Sequence, residues 1–250
     1  MSFQNKVVLV TGGASGIGGA TTRAFAKAGA KVAFTYATSR DEADAIVQEF
    51  AAEGVTGLAL QADITRPEVV TEVFARVERE LGPVDILFAN AGGLLHRSRG
   101  VDTSLELWQQ AIAINLTSTF LCCQAALRSM EPRRSGAIVT MSSLAAFDGG
   151  GFGASHYAAT KGAVATFTRS LAKEVGPLGI RVNGVAPGLI GTRFHDTFNT
   201  PEGRAAAVEK TPLRREGTPQ DVADAVLYLA SDQASYLTGE IMQINGGVGF

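Results

Sequence analysis

Residues 7–18 read VVLVTGGASGIG, a short apolar run that ends in a glycine-rich turn, and a helical pattern begins at Gly16. A strand, a turn and a helix N-terminus in this order bring backbone N–H groups and the positive end of the helix dipole to one point, which suits a pyrophosphate. The glycine spacing is T-G-x-x-x-G-x-G, so the common G-x-G-x-x-G fingerprint does not fit in any register. A tight turn without a ligand is the alternative.

The pattern of this first segment repeats, because short apolar runs alternate with segments of helical period along the chain. The runs are continuous, as in strands that are buried on both faces. We therefore predict a single α/β domain with a doubly wound Rossmann fold, in which helices cover both faces of a seven-stranded parallel sheet. Strands are expected near Lys6–Val10, Lys31–Tyr36, Gly57–Gln61, Asp85–Ala89, Gly136–Ser142, Ile180–Val185 and Glu240–Ile244, and helices near Gly16–Ala28, Arg40–Ala52, Pro67–Leu81, Leu105–Met130, Ser155–Val175 and Pro219–Ala230.

Composition excludes several classes of protein. The chain has 250 residues, of which 46% are hydrophobic, so it is neither disordered nor fibrous. Its 22 basic and 24 acidic residues give a net charge of −2, which argues against nucleic-acid binding. No signal-peptide pattern or membrane-length apolar run is seen, and the only cysteines, Cys122 and Cys123, are expected to be buried free thiols. We expect a cytoplasmic protein that does not bind membranes.

Five further motifs follow the glycine turn along the predicted elements. They are Asn90-Ala91-Gly92 after the fourth strand, Asn115 in the long fourth helix, Ser142-Ser143 at the end of the fifth strand, Tyr157 with Lys161 at the start of the next helix, and Pro187-Gly188 with Thr192 after the sixth strand. Together these motifs resemble the short-chain dehydrogenase/reductase family over nearly the whole chain, in particular its 3-oxoacyl-acyl-carrier-protein reductases. The resemblance implies an NAD(P)-dependent oxidoreductase that transfers a hydride between nicotinamide and a carbonyl or secondary alcohol.

Tyr157 and Lys161 are the residues whose spacing carries chemistry by itself. They are four positions apart on a predicted helix and so share one face. An adjacent ammonium favours the phenolate and is expected to lower the pKa of the tyrosine, which makes a general acid/base. A half-buried tyrosine beside a surface lysine is the alternative for this pair alone. The resemblance adds Ser143 as the group that binds the substrate oxygen, with Ser142 as a minor alternative, and Asn115 as the holder of a water linked to Lys161.

The end of the second predicted strand bears on the choice of cofactor. An NAD enzyme would place Asp or Glu there to bind the ribose 2′-hydroxyl, whereas this chain has Tyr36-Ala37-Thr38-Ser39-Arg40. The hydroxyls and the guanidinium suit a 2′-phosphate, although Ser15 stands where many NADP-binding relatives carry Arg or Lys. NADP(H) is favoured, and NAD(H) is possible. The full set expected around the cofactor is Gly12, Ser15, Gly16, Ile17, Gly18, Tyr36, Thr38, Ser39, Arg40, Asp63, Ile64, Asn90, Ala91, Gly92, Tyr157, Lys161, Pro187, Gly188, Ile190 and Thr192.

The segments expected to form the substrate side are less informative. Residues 191–215 interrupt the alternation and predict a small helical insert, a lid over the substrate. Three histidines and four phenylalanines lie on or beside the loops at the carboxyl end of the predicted sheet. The spacings of the histidines do not predict a metal site. The phenylalanine rings fit either the wall of a substrate pocket or the packing of the lid. These residues are His96, His156, His195, Phe147, Phe152, Phe194 and Phe198.

Partners are implied mainly by the resemblance. A basic patch of Arg128, Arg133, Arg134 and Lys173 suggests an acyl-carrier protein, with solvated surface charge as the alternative. The two longest predicted helices carry apolar residues on several faces, which suits burial against another subunit. Members of the family usually form tetramers, so the resemblance implies a homotetramer. We expect a 3-oxoacyl-thioester ketoreductase; the alternatives are a sugar or polyol dehydrogenase, a non-catalytic nicotinamide sensor, and a methyltransferase on a similar sheet.

Overall fold

The sheet consists of seven strands, all of them parallel to their neighbours. The structure is a computed structural model, and it describes residues 1–249. The strands are β1 (Val7–Val10), β2 (Lys31–Tyr36), β3 (Gly57–Gln61), β4 (Ile86–Ala89), β5 (Gly136–Met141), β6 (Ile180–Pro187) and β7 (Ile241–Ile244). Their order is β3-β2-β1-β4-β5-β6-β7, so the direction of winding reverses between β1 and β4. In doubly wound sheets, ligands bind at the carboxyl ends of the strands beside this reversal.

Ten α-helices are present in the described part of the chain. They are α1 (Gly16–Lys27), α2 (Arg40–Glu53), α3 (Pro67–Glu80), α4 (Leu105–Ile112), α5 (Ser118–Arg133), α6 (Ala145–Asp148), α7 (Ser155–Val175), α8 (Arg193–Phe198), α9 (Pro201–Lys210) and α10 (Pro219–Ala230). Core residues of α1, α2 and α10 pack on one face of the sheet, and those of α3, α5 and α7 pack on the other. The predicted doubly wound α/β fold is confirmed.

The first strand shows why the apolar runs are continuous. Val8 and Val10 lie in the hydrophobic cluster of one sheet face, and Val7 and Leu9 lie in that of the opposite face. Successive side chains of a strand point to opposite sides, so a strand covered on both sides is apolar at every position.

The predicted long helix near Leu105–Met130 is interrupted. Its two parts, α4 and α5, are joined by a π-helical turn at Ala113–Thr117, and the buried Asn115 lies inside that turn. Wide turns of this kind are rare and often occur at functional sites. The segment Leu105–Arg133 is apolar and long enough to cross a membrane by composition alone. However, 44% of its most apolar window is buried inside the fold, and core helices pass the same test.

Two other boundaries differ from the prediction. Strand β6 runs on to Pro187 instead of ending at Val185, because its pairing with β7 continues to Pro187 opposite Ile244. The loop after β5 contains the short helix α6, which ends at Gly149 in a left-handed conformation.

Residues 191–215 include α8 and α9, and Arg204 of α9 binds the carboxylates of Asp196 and Glu216. Ion pairs therefore brace this insert internally.

Candidate active site

A cleft of about 840 Å³ lies along the carboxyl ends of the central strands. Most of the residues expected at the cofactor and catalytic sites line it, although they come from five separate segments of the sequence. The expected residues on the cleft wall are Gly12, Ser15, Gly16, Ile17, Gly18, Asn90, Gly92, Ser142, Ser143, Tyr157, Lys161, Pro187, Gly188, Ile190 and Thr192. The fold thus brings the motifs together at one edge of the sheet.

The glycine turn after β1 is built for a close approach of backbone to backbone. A Cβ atom on Gly18 would lie 2.1 Å from the carbonyl oxygen of Gly12, so no larger residue fits there. The side-chain amide of Asn90 holds the turn by donating to the carbonyl oxygens of Thr11, at 2.8 Å, and Gly12, at 3.1 Å. Helix α1 begins immediately after the turn.

The N-terminus of α1 is open towards the cleft. No side chain caps it, and its first turn contains no acidic residue. Its free N–H groups and the helix dipole favour an anion at this point. The turn and the helix end therefore fit the pyrophosphate of a dinucleotide cofactor.

Tyr157 and Lys161 lie on the first two turns of α7 and face the same cleft. Lys161 is 2% exposed, and its Nζ donates to the carbonyl oxygen of Met141 at 2.8 Å. Burial lowers the pKa of Lys161 to about 7. Burial raises the pKa of Tyr157, and a hydrogen bond with the Ser143 hydroxyl opposes that rise. The expected lowering of the tyrosine pKa by the lysine is wrong for this structure, because burial dominates at Tyr157 and lowers the pKa of Lys161 as well.

Ser142 and Ser143 have different tasks. The Ser142 hydroxyl is buried and donates to the carbonyl oxygen of Lys161 at 2.9 Å, so it joins β5 to α7. The Ser143 hydroxyl accepts from the backbone N–H of Ala145 at 3.2 Å, and it lies near enough to the Tyr157 hydroxyl to lower the pKa of that tyrosine. The geometry therefore favours Ser143 as the group that meets a substrate oxygen beside Tyr157.

The side chain of Asn115 is occupied by protein contacts. Its Oδ1 accepts from the N–H of Gly93 at 2.9 Å, and its Nδ2 donates to the carbonyl oxygens of Gly93 at 2.9 Å and Ala111 at 3.1 Å. These bonds anchor the loop after β4 to the π-helical turn. The role implied by the resemblance, a water linked to Lys161, is not tested by these contacts.

The residues expected around the adenosine end lie beyond the cleft lining. Thr38 and Arg40 are exposed after β2, and the Arg40 guanidinium donates to the side-chain oxygen of Gln61 at 2.9 Å. Asp63 is exposed and accepts from the N–H and hydroxyl of Thr65. The cleft lining also leaves out four other expected residues, Tyr36, Ser39, Ile64 and Ala91. Their contacts to a cofactor therefore stay predictions.

The aromatic residues divide into two groups. The Phe194 ring lies 5.9 Å from the Tyr157 ring and 5.0 Å from the Phe198 ring, so it borders the residues expected to be catalytic. Phe147 and Phe152 are 43% and 80% exposed and lie off the cleft wall.

The three histidines do not form a metal site in the described part of the chain. His156 is buried, with its Nε2 2.9 Å from the carbonyl oxygen of Leu94, whereas His195 contacts the Asn199 side chain through Nδ1. The two cysteines are buried as expected, and burial raises the pKa of Cys122 to about 12.

Five charged residues on the cleft wall were not expected as site residues from the sequence: Arg23, Glu42, Arg97, Asp148 and Arg193. Arg193 at the start of α8 and Glu42 in the first turn of α2 form an ion pair of 2.5 Å. The two residues are far apart in the sequence and belong to no motif, so only the fold reveals the contact.

Comparison with known proteins agrees with this site. A family model described as enoyl-(acyl carrier protein) reductase matches residues 12–249. The 3-oxoacyl-[acyl-carrier-protein] reductase of Escherichia coli is 40% identical over 99% of both chains. The cyclohexanol dehydrogenase of a Rhodococcus species is 38% identical over 99% of this chain and 97% of that protein.

Solved structures show the same likeness. A 7α-hydroxysteroid dehydrogenase, in complex with NADH and 7-oxo glycochenodeoxycholic acid, superposes with a TM-score of 0.94 at 34% identity, covering 98% of this chain and 95% of that one. A Serratia marcescens short-chain dehydrogenase/reductase superposes with a TM-score of 0.92 at 33% identity, covering 99% of each chain. Motifs, fold, cleft and relatives together place this chain in the short-chain dehydrogenase/reductase family of nicotinamide-dependent oxidoreductases.

Proposed function

We propose that the protein is an NADPH-dependent ketoreductase that reduces 3-oxoacyl thioesters. The observation that carries the proposal is the meeting of Ser143, Tyr157 and Lys161 beside the glycine turn, in one cleft. Four relatives from different bacteria, at 37–40% identity, are named 3-oxoacyl-[acyl-carrier-protein] reductases. A non-catalytic sensor has no use for this set of groups.

The residues of the chain divide the reaction between them. When bound, the nicotinamide cofactor supplies the hydride. Ser143 donates a hydrogen bond to the carbonyl oxygen of the substrate, which fixes that oxygen beside the Tyr157 hydroxyl. Tyr157 gives its proton to the same oxygen as negative charge develops there. Lys161, whose pKa burial lowers to about 7, lies one helical turn away and favours the phenolate form of Tyr157 whenever it is protonated.

The chain around the end of β2 supports NADPH over NADH. Residues 36–40 contain no carboxylate that would repel a 2′-phosphate, and Thr38 and Ser39 offer hydroxyl donors. Arg40 is exposed and makes one hydrogen bond, to an uncharged amide, so its charge is free to attract a phosphate. Asp63 and Ile64 follow β3, the neighbouring strand, and are proposed to border the adenine.

The acyl-carrier protein is proposed as the source of the thioester. Arg128 lies on exposed helix surface, where its guanidinium contacts only the Gln124 side chain in the described structure, at 3.5 Å. Arg133 is different, because it bonds Asp85 at 2.7 Å and the carbonyl oxygen of Val84. Arg134 also donates to a main-chain oxygen, that of Pro177 at 2.7 Å, but it pairs with no carboxylate in the described structure. The proposed docking patch therefore consists of Arg128, Arg134 and Lys173, whereas Arg133 is held in an ion pair within the fold.

Oligomerisation and location complete the proposal. Exposed apolar side chains on α4 and α5, with Leu105 69% and Phe120 43% exposed, suit burial against further copies in a homotetramer. Residues 191–215 are proposed to act as the substrate lid, since Phe194 borders Tyr157. Two free buried thiols and a reduced cofactor suit the cytoplasm.

The test is an absorbance assay at saturating cofactor, with S-acetoacetyl-N-acetylcysteamine, a plain methyl ketone of similar length, an aldose and a polyol as substrates. With the thioester and the ketone, consumption of NADPH or NADH is followed. With the aldose and the polyol, which are oxidised, formation of NADPH from NADP⁺ or of NADH from NAD⁺ is followed. We expect the thioester with NADPH to give the highest kcat/KM. A higher value for the sugar or polyol would overturn the proposed substrate class.

A further inference from the structure

Arg97 joins the three segments that surround the substrate side of the cleft. It belongs to the loop after β4, and its Nε donates to the carbonyl oxygen of Phe198, at the end of α8, at 3.0 Å. Its Nη1 donates to the carbonyl oxygen of Phe152, in the loop before α7, at 2.7 Å. One guanidinium is thus fixed in position by two main-chain acceptors from distant parts of the sequence.

The glycine-rich run before α7 makes room for this arrangement. Gly153 has a φ of +72°, and its carbonyl oxygen accepts from the N–H of Ser98 at 2.9 Å. A Cβ atom at Gly153 would lie 3.1 Å from that same nitrogen, and one at Gly151 would lie 3.2 Å from Nη1 of Arg97. These glycines therefore let the loop pass close to the backbone and guanidinium of the segment that carries Arg97.

The loop that carries Arg97 is held in a conformation that is unfavourable for its residues. Leu95 has a φ of +67°, which is strained for a side chain of this size. The buried His156 fixes the preceding residue, because its Nε2 lies 2.9 Å from the carbonyl oxygen of Leu94. Backbone strain of this kind persists where the surrounding structure imposes it, and it is concentrated at binding sites.

The charge of Arg97 is not matched by a carboxylate in the described structure. Arg193 pairs with Glu42, and Arg204 pairs with Asp196 and Glu216, whereas Arg97 contacts only neutral carbonyl oxygens. Its Nη2 has no hydrogen-bond partner among residues 1–249, and the side chain lines the cleft that holds Tyr157. A guanidinium keeps its charge at any working pH and still has donors to offer.

We propose that Arg97 binds a second acceptor oxygen of the substrate, the thioester carbonyl or carboxylate oxygen of a 3-oxoacyl compound, while Ser143 and Tyr157 hold the carbonyl that is reduced. The assignment rests on the proposed ketoreductase function and deepens it. It makes the protein selective for substrates that carry two carbonyl oxygens over plain ketones, because only the former can accept a charge-assisted hydrogen bond from Arg97.

The experiment compares the intact protein with Arg97→Ala, Arg97→Lys and a matched control, Arg99→Ala. Arg99 lies on the same loop, is exposed, and pairs only with the nearby Asp102. Each protein is assayed with NADPH and S-acetoacetyl-N-acetylcysteamine, acetoacetate, or a methyl ketone of matched length. Affinity for the thioester is also measured by calorimetry, with NADP⁺ bound so that no turnover occurs.

We expect Arg97→Ala to lower kcat/KM for the thioester by about 100-fold, mainly by raising KM. The kcat/KM for the plain ketone should stay within about threefold of the value of the parent protein. Arg97→Lys should recover part of the loss, and Arg99→Ala should match the parent protein. An equal loss on thioester and ketone would show that Arg97 only clamps the loops, and it would overturn the assignment. An unchanged thioester value would overturn it as well.

The proposed function and the Arg97 assignment fail in different ways. In one case, the protein turns over no substrate of the panel but binds the thioester, and Arg97→Ala weakens this binding. This result would reject the ketoreductase and support the Arg97 contact. In the opposite case, the protein reduces the thioester and prefers it to the ketone, and Arg97→Ala does not change that preference. This result would support the ketoreductase and reject the Arg97 contact.

Discussion

The Nζ of Lys161 lies 5.6 Å from the centre of the Tyr157 ring and donates its hydrogen bond to the carbonyl oxygen of Met141. The two groups are therefore close enough to influence each other's charge without a direct hydrogen bond. Burial favours the uncharged form of both, since it lowers the pKa of Lys161 to about 7 and raises the pKa of Tyr157. We expect this arrangement to affect stability as well as catalysis.

Replacing Lys161 by Met should stabilise the protein at pH 7. The folded-state pKa of about 7 lies below the ordinary value of 10.5. Below pH 7 both states hold the proton and the folded state bears the full cost of a buried charge. Between these two values the unfolded state binds more protons, so stability rises with pH. We expect Lys161→Met to raise the Tm by about 2–4 °C at pH 7, on the order of 1 kcal/mol.

The measurement is thermal unfolding from pH 6 to pH 9, with Lys173→Met as the control because Lys173 is exposed on the same helix. The gap between Lys161→Met and the parent should narrow as the pH rises above 7, whereas Lys173→Met should give no such trend. A gap that widens with pH would contradict the direction of the Lys161 pKa shift.

Tyr157→Phe should greatly reduce turnover and preserve cofactor binding. The change removes only the hydroxyl that gives the proton, and it keeps the ring against Phe194. We expect kcat to fall by about 10²–10⁴-fold, the usual contribution of a general acid. Single-turnover kinetics and NADPH fluorescence titration check the two halves of this prediction. Unchanged turnover would show that another group supplies the proton.

Ala37→Asp should shift the cofactor preference from NADPH towards NADH. A carboxylate after β2 would repel a 2′-phosphate and accept a hydrogen bond from a 2′-hydroxyl. The ratio of kcat/KM values for the two cofactors should change by about 10- to 100-fold, equivalent to about 1.4–2.8 kcal/mol. Ala52→Asp, an exposed position towards the end of α2, adds the same charge elsewhere and should leave the ratio unchanged. A ratio unaltered by Ala37→Asp would place the phosphate site away from β2.

The ion pair between Arg193 and Glu42 should contribute modestly to cofactor affinity. It connects α8 to α2 beside the cleft, but the Arg193 side chain is 79% exposed, and exposed pairs contribute only about 0.2–1 kcal/mol. Arg193→Ala and Glu42→Ala should each raise the Kd for NADPH up to about fivefold, and the double variant should add little further. The differences in Kd between the variants and the parent protein should vanish in high salt. If the effect of the double variant equals the sum of the two single effects, Arg193 and Glu42 are not coupled.

The general fold and most of the cleft could be predicted from the sequence because their determinants are local. A parallel sheet covered on both faces needs apolar residues at consecutive strand positions, and β1 shows them from Val7 to Val10. The glycine turn likewise occupies one short stretch. Strand order and helix packing then follow from the rules of doubly wound sheets.

The features that could not be predicted depend on contacts between distant residues. The acceptors of Arg97 lie 55 and 101 positions away, and loop carbonyls leave no trace in a residue pattern. The balance between burial and charge at Tyr157 and Lys161 is also set by the fold, since both the Ser143 hydroxyl and the Met141 carbonyl reach the pair from β5 and the loop after it. Spacing predicted the pair but not its protonation.

The π-helical turn at Ala113–Thr117 sets a limit on the length of the chain between α4 and α5. Deleting one residue there would let α4 continue into α5 with regular helical hydrogen bonds, and the helix itself would become more stable. The same deletion would rotate the two halves by about 100° relative to each other, so Asn115 would turn away from Gly93. A single-codon deletion would thus exchange the anchor of the active-site loop for a more regular helix.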